Sequence, residues 1–168
     1  MDTIRFEAEA EALSGAVIVR LPAEASARLP SRGQVAVDAT VNGEPRPLVV
    51  EPDGRRGHWL RLRPEEAADG PVTVELAPSG EWPEPELPDD LRAALDQASD
   101  LADTWTDITP MARWEWVRWV NATRNPDTRR RRVEVSVDKL RSGKRRPCCF
   151  DLSSCTDPEL SRSGKLIG

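Results

Sequence analysis

Apolar and polar residues alternate along most of the first 77 positions of the chain. In residues 3–11, Ile4, Phe6, Ala8 and Ala10 fall on one side of an extended backbone. Similar alternating or apolar runs lie at residues 15–21, 33–41, 46–51, 58–63 and 72–77. Short strands with one buried face, separated by turns, predict an antiparallel sheet closed into a small barrel.

Turn and helix signals separate these runs. Asn42 and Gly43 favour the left-handed backbone angles of a type I′ turn, so the runs on either side should form a hairpin. Pro22 stands at a helix-opening position, which predicts one or two helical turns in residues 22–29.

The pattern changes after residue 77. Residues 78–90 are rich in proline and acidic residues, which predicts an extended linker. Residues 89–98 then predict a short helix. The pairs Thr109-Pro110 and Asn125-Pro126 each place an N-cap residue before a proline, which predicts two helices within residues 109–143.

Three tryptophans lie close together in the first of these two helices. An apolar stripe on that helix contains Ala112, Trp116, Val117, Trp119 and Val120. We therefore expect Trp116 and Trp119 to be buried, and Trp114, which falls beside the stripe, to be the more exposed of the three.

These elements predict an α+β chain, with a small antiparallel β-barrel followed by a C-terminal helical segment. The expected divisions are a barrel over 1–77, a linker with a short helix over 78–108, a helical pair over 109–146 and a cysteine-containing tail over 147–168.

Charge is distributed unevenly along the chain. Residues 1–110 carry 10 Lys and Arg against 22 Asp and Glu, whereas residues 111–147 carry 12 against 4. The run from Arg129 to Arg132 could bind phosphate or the chain's own acidic residues. We favour the internal partner, because the opposite charge is already tethered nearby, and we expect at least two of the four arginines to pair with acids of residues 1–110.

The three cysteines, Cys148, Cys149 and Cys155, are too few for a structural zinc site, which normally takes four protein ligands. A structural or inert role is favoured, thiol reactivity or redox chemistry comes second, and metal binding last. Cys148, Cys149 and Cys155 are therefore the thiol-reactive candidates, and we expect neither a metal nor a cofactor.

No motif of an enzyme family occurs, which favours a non-enzymatic binding or interaction module. Its ligand, a small molecule or a protein, would occupy a cleft between barrel and helices. The candidate ligand-binding residues are Trp114, Arg118, Arg130, Arg131, Trp59 and His58. The alternatives are a thiol or metal function of the tail, and nucleic-acid binding through the arginine run. Neither a secretory signal nor a membrane-spanning run is present, so the chain is expected to be cytoplasmic and not inserted in a membrane.

The helical segment "EWVRWVNATRNPDTRRRRVEVSVDKLRSGKR" resembles the C-terminal part of the YdeI/OmpD-associated, or bacteriocin-protection, family. The matching positions are Thr128, Arg129, Arg131, Arg132, Leu140, Gly143 and Lys144. Trp116 stands where the family usually has Tyr, and Arg124 where it usually has Lys.

The N-terminal runs "IRFEAEAE", "VIVRLPAEASARL" and "GQVAVDATVNG" resemble the domain of unknown function 1905. The tail "RRPCCFDLSSCTDPELSRSGKL" resembles the ending of actinobacterial members. The resemblance implies a double-split β-barrel similar to AbrB-type barrels, followed by helices, and a role in stress or antimicrobial protection. It implies no reaction and no catalytic residue.

Overall fold

The computed structural model describes residues 3–67, 70–147 and 151–168. The chain divides into two compact units. The first comprises Met1–Pro83, Leu152–Cys155 and Glu159–Gly168, and the second comprises Glu84–Asp151 and Thr156–Pro158. The predicted domain boundaries after residues 77, 108 and 146 stay a prediction.

The first unit, the barrel unit, contains a seven-stranded antiparallel sheet. Its strands are β1 (Ile4–Ala8), β2 (Glu11–Leu13), β3 (Ala16–Arg20), β4 (Val35–Val41), β5 (Glu44–Pro52), β6 (His58–Arg61) and β7 (Val72–Pro78). Their order in the sheet is β1-β7-β4-β5-β6-β3-β2. The sheet forms a half-barrel, which confirms the predicted α+β class with antiparallel strands followed by helices.

One face of this sheet surrounds a continuous apolar core. Val19, Val50, Leu60 and Leu76 are completely buried there, each from a different strand. The short helix α1 (Ala23–Ala27) adds Ala25 to the same core. The period of two in the sequence therefore identified the buried face of the sheet correctly.

The alternating run at residues 3–11 was expected to form one strand, but it contributes to two strands. Its first part, β1, pairs with β7, whereas Glu11 begins β2, which pairs with β3 at the other edge of the sheet. The alternation continues through Glu9 and Ala10, so the sequence pattern does not show where the chain changes partner.

The hairpin at Asn42 and Gly43 forms as predicted. Val41 pairs with Glu44, and both turn residues have positive φ angles, 49° and 85°. Glycine tolerates such angles because it has no Cβ atom, and asparagine tolerates them better than most residues.

Among its described residues, the second unit, the helical unit, contains four α-helices: α2 (Asp89–Gln97), α3 (Ala102–Asp107), α4 (Pro110–Asn121) and α5 (Pro126–Arg141). Both predicted caps are present, since Thr109 accepts a hydrogen bond from the amide of Ala112 and Asn125 accepts from Asp127 and Thr128. The predicted break at Asn125-Pro126 is confirmed. The sequence did not predict α3.

The end of the chain returns to the barrel unit. It forms a hairpin of β8 (Ser161–Arg162) and β9 (Lys165–Leu166), which the sequence did not predict. Cys155, Leu160 and Leu166 pack with Ile18 and Trp59 in a second apolar cluster. Because Ile18 and Trp59 lie outside the main core, β3 and β6 have apolar contacts on both faces.

Candidate functional site

A buried arginine of α4, Arg113, connects separate parts of the helical unit. Arg113 is only 7% exposed. Its Nε and Nη2 atoms donate to the carboxylate of Glu84, with 2.9 Å from Nε to Oε2, and its Nη1 atom donates to the carbonyl oxygens of Trp105 and Ile108. The side chain thus joins the extended segment before α2 to the end of α3.

Arg129, at the start of α5, holds this helix to α2. Its Nε and Nη2 atoms lie 2.6 and 3.1 Å from the two carboxylate oxygens of Asp90, and its Nη1 atom donates to Oδ1 of Asn121 at 3.0 Å. The hydrogen bond from Arg129 lowers the pKa of Asp90 below its ordinary value of 3.8. The pair is therefore charged at neutral pH.

Three further arginines repeat this arrangement with other acidic residues. Arg141 donates to both oxygens of Asp100 at 2.8 and 3.1 Å. Arg145 donates to Asp107 at 3.0 Å, and Arg146 donates to both oxygens of the buried Glu115 at 2.6 Å each. The basic helices thus bind acidic residues of their own unit.

The arginine run itself agrees only in part with this pattern. Arg129 pairs with Asp90, whereas Arg130 pairs with Asp127 of its own helix at 3.0 Å. Arg132 donates to the carbonyl oxygen of Trp119 at 2.8 Å and lies 5.2 Å from the centre of its ring. Among the described residues, therefore, one arginine of the run and not two binds an acid of residues 1–110. Within the described residues the expectation of two is wrong, because Arg130 and Arg132 bind Asp127 and the carbonyl oxygen of Trp119 instead.

A groove lies between α2 and α5, with a volume of about 370 Å³. Its lining residues are Ala94, Gln97, Ala98, Val133, Glu134, Val137, Asp138 and Arg141. The small side chains of Ala94 and Ala98 leave space beside Val133 and Val137, and these four residues give the groove an apolar floor.

Acidic side chains dominate the rim of this groove. Glu134 and Asp138 are exposed and lie one helical turn apart on α5. The one cation of the lining, Arg141, is held by Asp100, and this hydrogen bond raises the pKa of Arg141 and lowers that of Asp100. The rim therefore offers negative charge to a partner.

A second groove, of about 440 Å³, lies on the outer face of the half-barrel. Its walls include Asp38, Thr40, Pro47 and Glu75 from three neighbouring strands. Its lining, like that of the groove between α2 and α5, contains both apolar and charged side chains. We choose the groove between α2 and α5 as the candidate binding site, because its two exposed acids lie one helical turn apart beside four apolar residues of two packed helices.

Two family models match the chain, one after the other. Residues 5–74 match a domain of unknown function, DUF1905. Residues 84–143 match the family described as bacteriocin-protection, YdeI or OmpD-associated. The chain thus has a segment that matches DUF1905, followed by a segment that matches the YdeI/OmpD-associated family.

Both domains occur in the order that the sequence resemblance predicted. A search of curated proteins found no match to the chain. The likeness of the tail to actinobacterial members stays a prediction, because both matches end before residue 148.

In the YdeI/OmpD-associated domain, the predicted ligand-binding residues differ in exposure. Trp114 is half-buried and Arg118 is 4% exposed, so neither is a freely accessible side chain. Arg130 and Arg131 are exposed on α5. Contact of these four residues with a ligand stays a prediction.

The predicted ligand-binding residues of the DUF1905 domain, His58 and Trp59, are neighbours on β6 and are 1% and 2% exposed. The Trp59 indole nitrogen donates to the carbonyl oxygen of Pro52 at 3.1 Å. Both side chains make internal hydrogen bonds, so a ligand would reach them only after a structural change. Their predicted role stays untested.

The residues that line the α2–α5 groove were not predicted as a site. In the sequence, Glu134 and Asp138 have the pattern of exposed acids on a helix. Ala94 and Ala98 have the pattern of small residues in a short helix. Only the packing of α2 on α5 brings them together. The spacing of Val133, Val137 and Leu140 on one helix face was the sole signal of this packing in the sequence.

Of the three cysteines, Cys155 lies in the described part of the chain, where it is buried with 2% exposure. Cys148 and Cys149 lie outside the described residues. Within residues 3–67, 70–147 and 151–168, no group of three His, Cys, Asp or Glu side chains is placed to hold a metal ion. In the same ranges, no helix is long and apolar enough to cross a membrane.

Proposed function

We propose that the YdeI/OmpD-associated domain is a non-enzymatic binding module that takes a cationic, amphipathic segment of a polypeptide into the α2–α5 groove. The observation that carries this proposal is the combination of an apolar floor with an acidic rim in one groove. Recognition of an amphipathic segment by an apolar groove is a recurrent mode of peptide binding.

The floor would supply most of the affinity. Its volume of about 370 Å³ lies at the lower end of the range of ligand sites, about 300–1,000 Å³. Two or three aliphatic side chains of a partner would bury apolar surface against Ala94, Val133 and Val137. Each buried side chain of this kind contributes about 1.5–3 kcal/mol before the costs of association are subtracted.

The rim would select the partner by charge. Exposed ion pairs contribute about 0–1 kcal/mol each, so Glu134 and Asp138 add little to affinity at physiological salt. They would instead accelerate the association of a cationic segment and disfavour an acidic one. Lys or Arg at helical spacing from the aliphatic anchors would fit this arrangement.

The family description supports a protective role. A bacteriocin is an antibacterial polypeptide, and a module that binds a cationic amphipathic segment would sequester such a molecule or a protein that acts with it. The cytoplasmic location expected from the sequence belongs to this proposal as an untested part.

Two alternatives from the sequence have weaker support. For nucleic-acid binding, α5 would need a run of exposed positive charge, yet Asp127, Glu134 and Asp138 are exposed within about two turns of Arg130 and Arg131 on the same helix. For thiol chemistry, the one described cysteine, Cys155, is buried among apolar side chains, where a thiol reagent has little access to the sulfur.

The test is a calorimetric titration of the full chain with a synthetic helical peptide that has leucines on one face and lysines on the other. We expect binding, and we expect the paired charge reversal Glu134→Lys and Asp138→Lys to weaken it about tenfold or more at low salt. Asp103→Lys is the matched control, because Asp103 is an exposed helical acid outside the groove lining.

Three outcomes of this titration count against the proposal. They are absence of binding to the unaltered chain, equal affinity of the unaltered and doubly reversed chains, and equal loss of affinity in the Asp103→Lys control. A third variant, Val137→Glu, should abolish binding through the floor while the helix content stays unchanged.

A further inference from the structure

His58, the one histidine of the chain, lies at the centre of a buried hydrogen-bond network in the barrel unit. Its Nε2 atom is 3.0 Å from the carbonyl oxygen of Gly33, and its Nδ1 atom is 2.7 Å from the hydroxyl oxygen of Ser26. Ser26, on α1, is itself 3% exposed. The network therefore ties β6 to α1 and to the loop that contains Gly33.

The partners determine which ring nitrogen carries the proton. A carbonyl oxygen only accepts, so Nε2 carries the hydrogen and donates it to Gly33. Nδ1 then has a free lone pair and accepts the hydroxyl hydrogen of Ser26. In this arrangement the imidazole is neutral.

A permanent cation lies on the other side of the Ser26 hydroxyl. The Nη1 atom of Arg32 donates to Ser26 Oγ at 3.2 Å, and its Nη2 atom donates to the carbonyl oxygens of Ser26 and Leu29 at 2.6 and 3.2 Å. Ser26 thus accepts from Arg32 and donates to His58. The three side chains depend on one another for their hydrogen bonds.

Protonation of His58 would break this arrangement. Nδ1 would become a donor, so the hydroxyl hydrogen of Ser26 would lose its acceptor, and a second positive charge would be buried beside Arg32. Burial and the charge of Arg32 lower the pKa of His58 from 6.5, and Asp53, the acid facing it, raises it. The hydrogen bond to Gly33 also raises the pKa of His58, but burial is the largest effect, and the pKa stays below 6.5.

The segment held by this network closes part of the core. Ala25 and Leu29, at 4% and 5% exposure, pack into the main core of the half-barrel. Gly33 lies so close to the tail that a Cβ atom there would come within 2.8 Å of the carbonyl oxygen of Leu152. Release of the segment would expose apolar core residues and loosen a contact of the C-terminal tail.

We propose that His58, Ser26 and Arg32 form an acid-sensitive latch, which keeps residues 23–33 packed on the half-barrel at neutral pH and releases them when His58 is protonated. Release is local, because the ladders between β1, β7, β4 and β5 contain neither His58 nor its partners. The latch is independent of the peptide groove, which lies in the helical unit.

The experiment combines two measurements on the full chain. Nitrogen-15 NMR of the imidazole reports the tautomer and protonation of His58 without ambiguity, because no other histidine is present. Hydrogen exchange, corrected for intrinsic rates, is measured at about pH 7.5 and about pH 5. We expect the Nε2–H tautomer at neutral pH, and exchange of the amides of 23–33 that is about tenfold faster at the lower pH, with β4 and β7 still protected.

The control variant is His58→Gln, whose amide both accepts and donates but does not titrate in this range. It should remove the pH dependence of exchange in residues 23–33, although the carboxylates of the chain titrate as before. An equal pH dependence in this variant overturns the latch. The latch is also overturned if the imidazole of the unaltered chain becomes protonated while hydrogen exchange in residues 23–33 stays constant. This second test does not depend on whether the variant folds.

Discussion

The tryptophans of α4 differ in how deeply they are buried, and therefore in how much they contribute to stability. Trp116 is completely buried, and its indole nitrogen donates to the carbonyl oxygen of Arg145 at 3.0 Å. Trp119, three residues later, is half-buried and meets the Trp116 ring edge-on at 6.4 Å between ring centres. Arg132 and Lys139 lie 5.2 and 5.7 Å from the centre of the Trp119 ring.

We expect Trp116→Ala to lower the free energy of unfolding by about 3–5 kcal/mol, because it leaves a large cavity and an unpaired carbonyl group. Trp119→Ala should cost clearly less, because part of its ring is already exposed and its cations remain solvated. Urea unfolding of both variants checks this. Equal losses would show that the two indoles are equally important for packing.

At the scale of elements, charged pairs between helices set how α5 packs on α2. Asp90 is in the first turn of α2 and Arg129 in the first turn of α5, and their bidentate hydrogen bonds join the two helix starts. The cation on α5 lies at an N-terminus, where the helix dipole disfavours positive charge. The carboxylate of Asp90 offsets this effect.

The pair of Asp90 and Arg129 predicts that the free energy of unfolding depends on pH. Because the pKa of Asp90 is lower in the folded chain than its ordinary value of 3.8, the unfolded chain binds protons more readily. The pair therefore contributes its full stabilisation of the fold above pH 3.8, and this stabilisation is lost as the pH falls through the pKa of Asp90 in the folded chain. In Arg129→Gln we expect a shallower loss of stability between about pH 5 and about pH 2.5 than in the unaltered chain.

Arg130→Gln is the matched control for this measurement. Arg130 is the adjacent arginine, but it pairs with Asp127 in an exposed i, i+3 arrangement and does not join two helices. The control should lose stability with falling pH to the same extent as the unaltered chain. If Arg129→Gln also shows this pH dependence, Asp90 does not depend on Arg129 for its charge.

At the scale of the whole molecule, the C-terminal tail is part of the N-terminal unit. The amide of Leu166 donates to the carbonyl oxygen of Asp53, and Arg55 and Arg20 donate to the carbonyl oxygens of Leu166 and Ile167. Gly54 allows the close approach, since a Cβ atom there would overlap the carbonyl oxygen of Gly164. The fold of the barrel unit therefore needs both ends of the chain.

We expect Leu166→Ala to destabilise the barrel unit by about 2–5 kcal/mol, because the side chain is completely buried against Ile18 and Trp59. Ile167→Ala, at the half-buried neighbouring position, is the matched control and should cost less. Urea unfolding, with binding of an apolar dye to detect exposure of the cluster, gives the comparison. If both variants are equally stable, the tail is not an integral part of this unit.

The sequence alone predicted the local elements well. Alternation identified the buried face of β1, β4 and β7, Asn42-Gly43 predicted a hairpin, and the two cap-proline pairs predicted where α4 and α5 begin. These features depend on backbone angles and on side chains close in the chain, so the local sequence specifies them.

Only the tertiary structure decided which distant residues meet. The change of partner between β1 and β2, the return of Leu160 and Leu166 to Trp59, and the groove of α2 and α5 all depend on contacts far apart in the chain. The same holds for His58, which in the sequence is one polar residue in a strand pattern. Its neutral state and its partners arise from burial and from the approach of Ser26 and Gly33, 32 and 25 residues away, which no local pattern records.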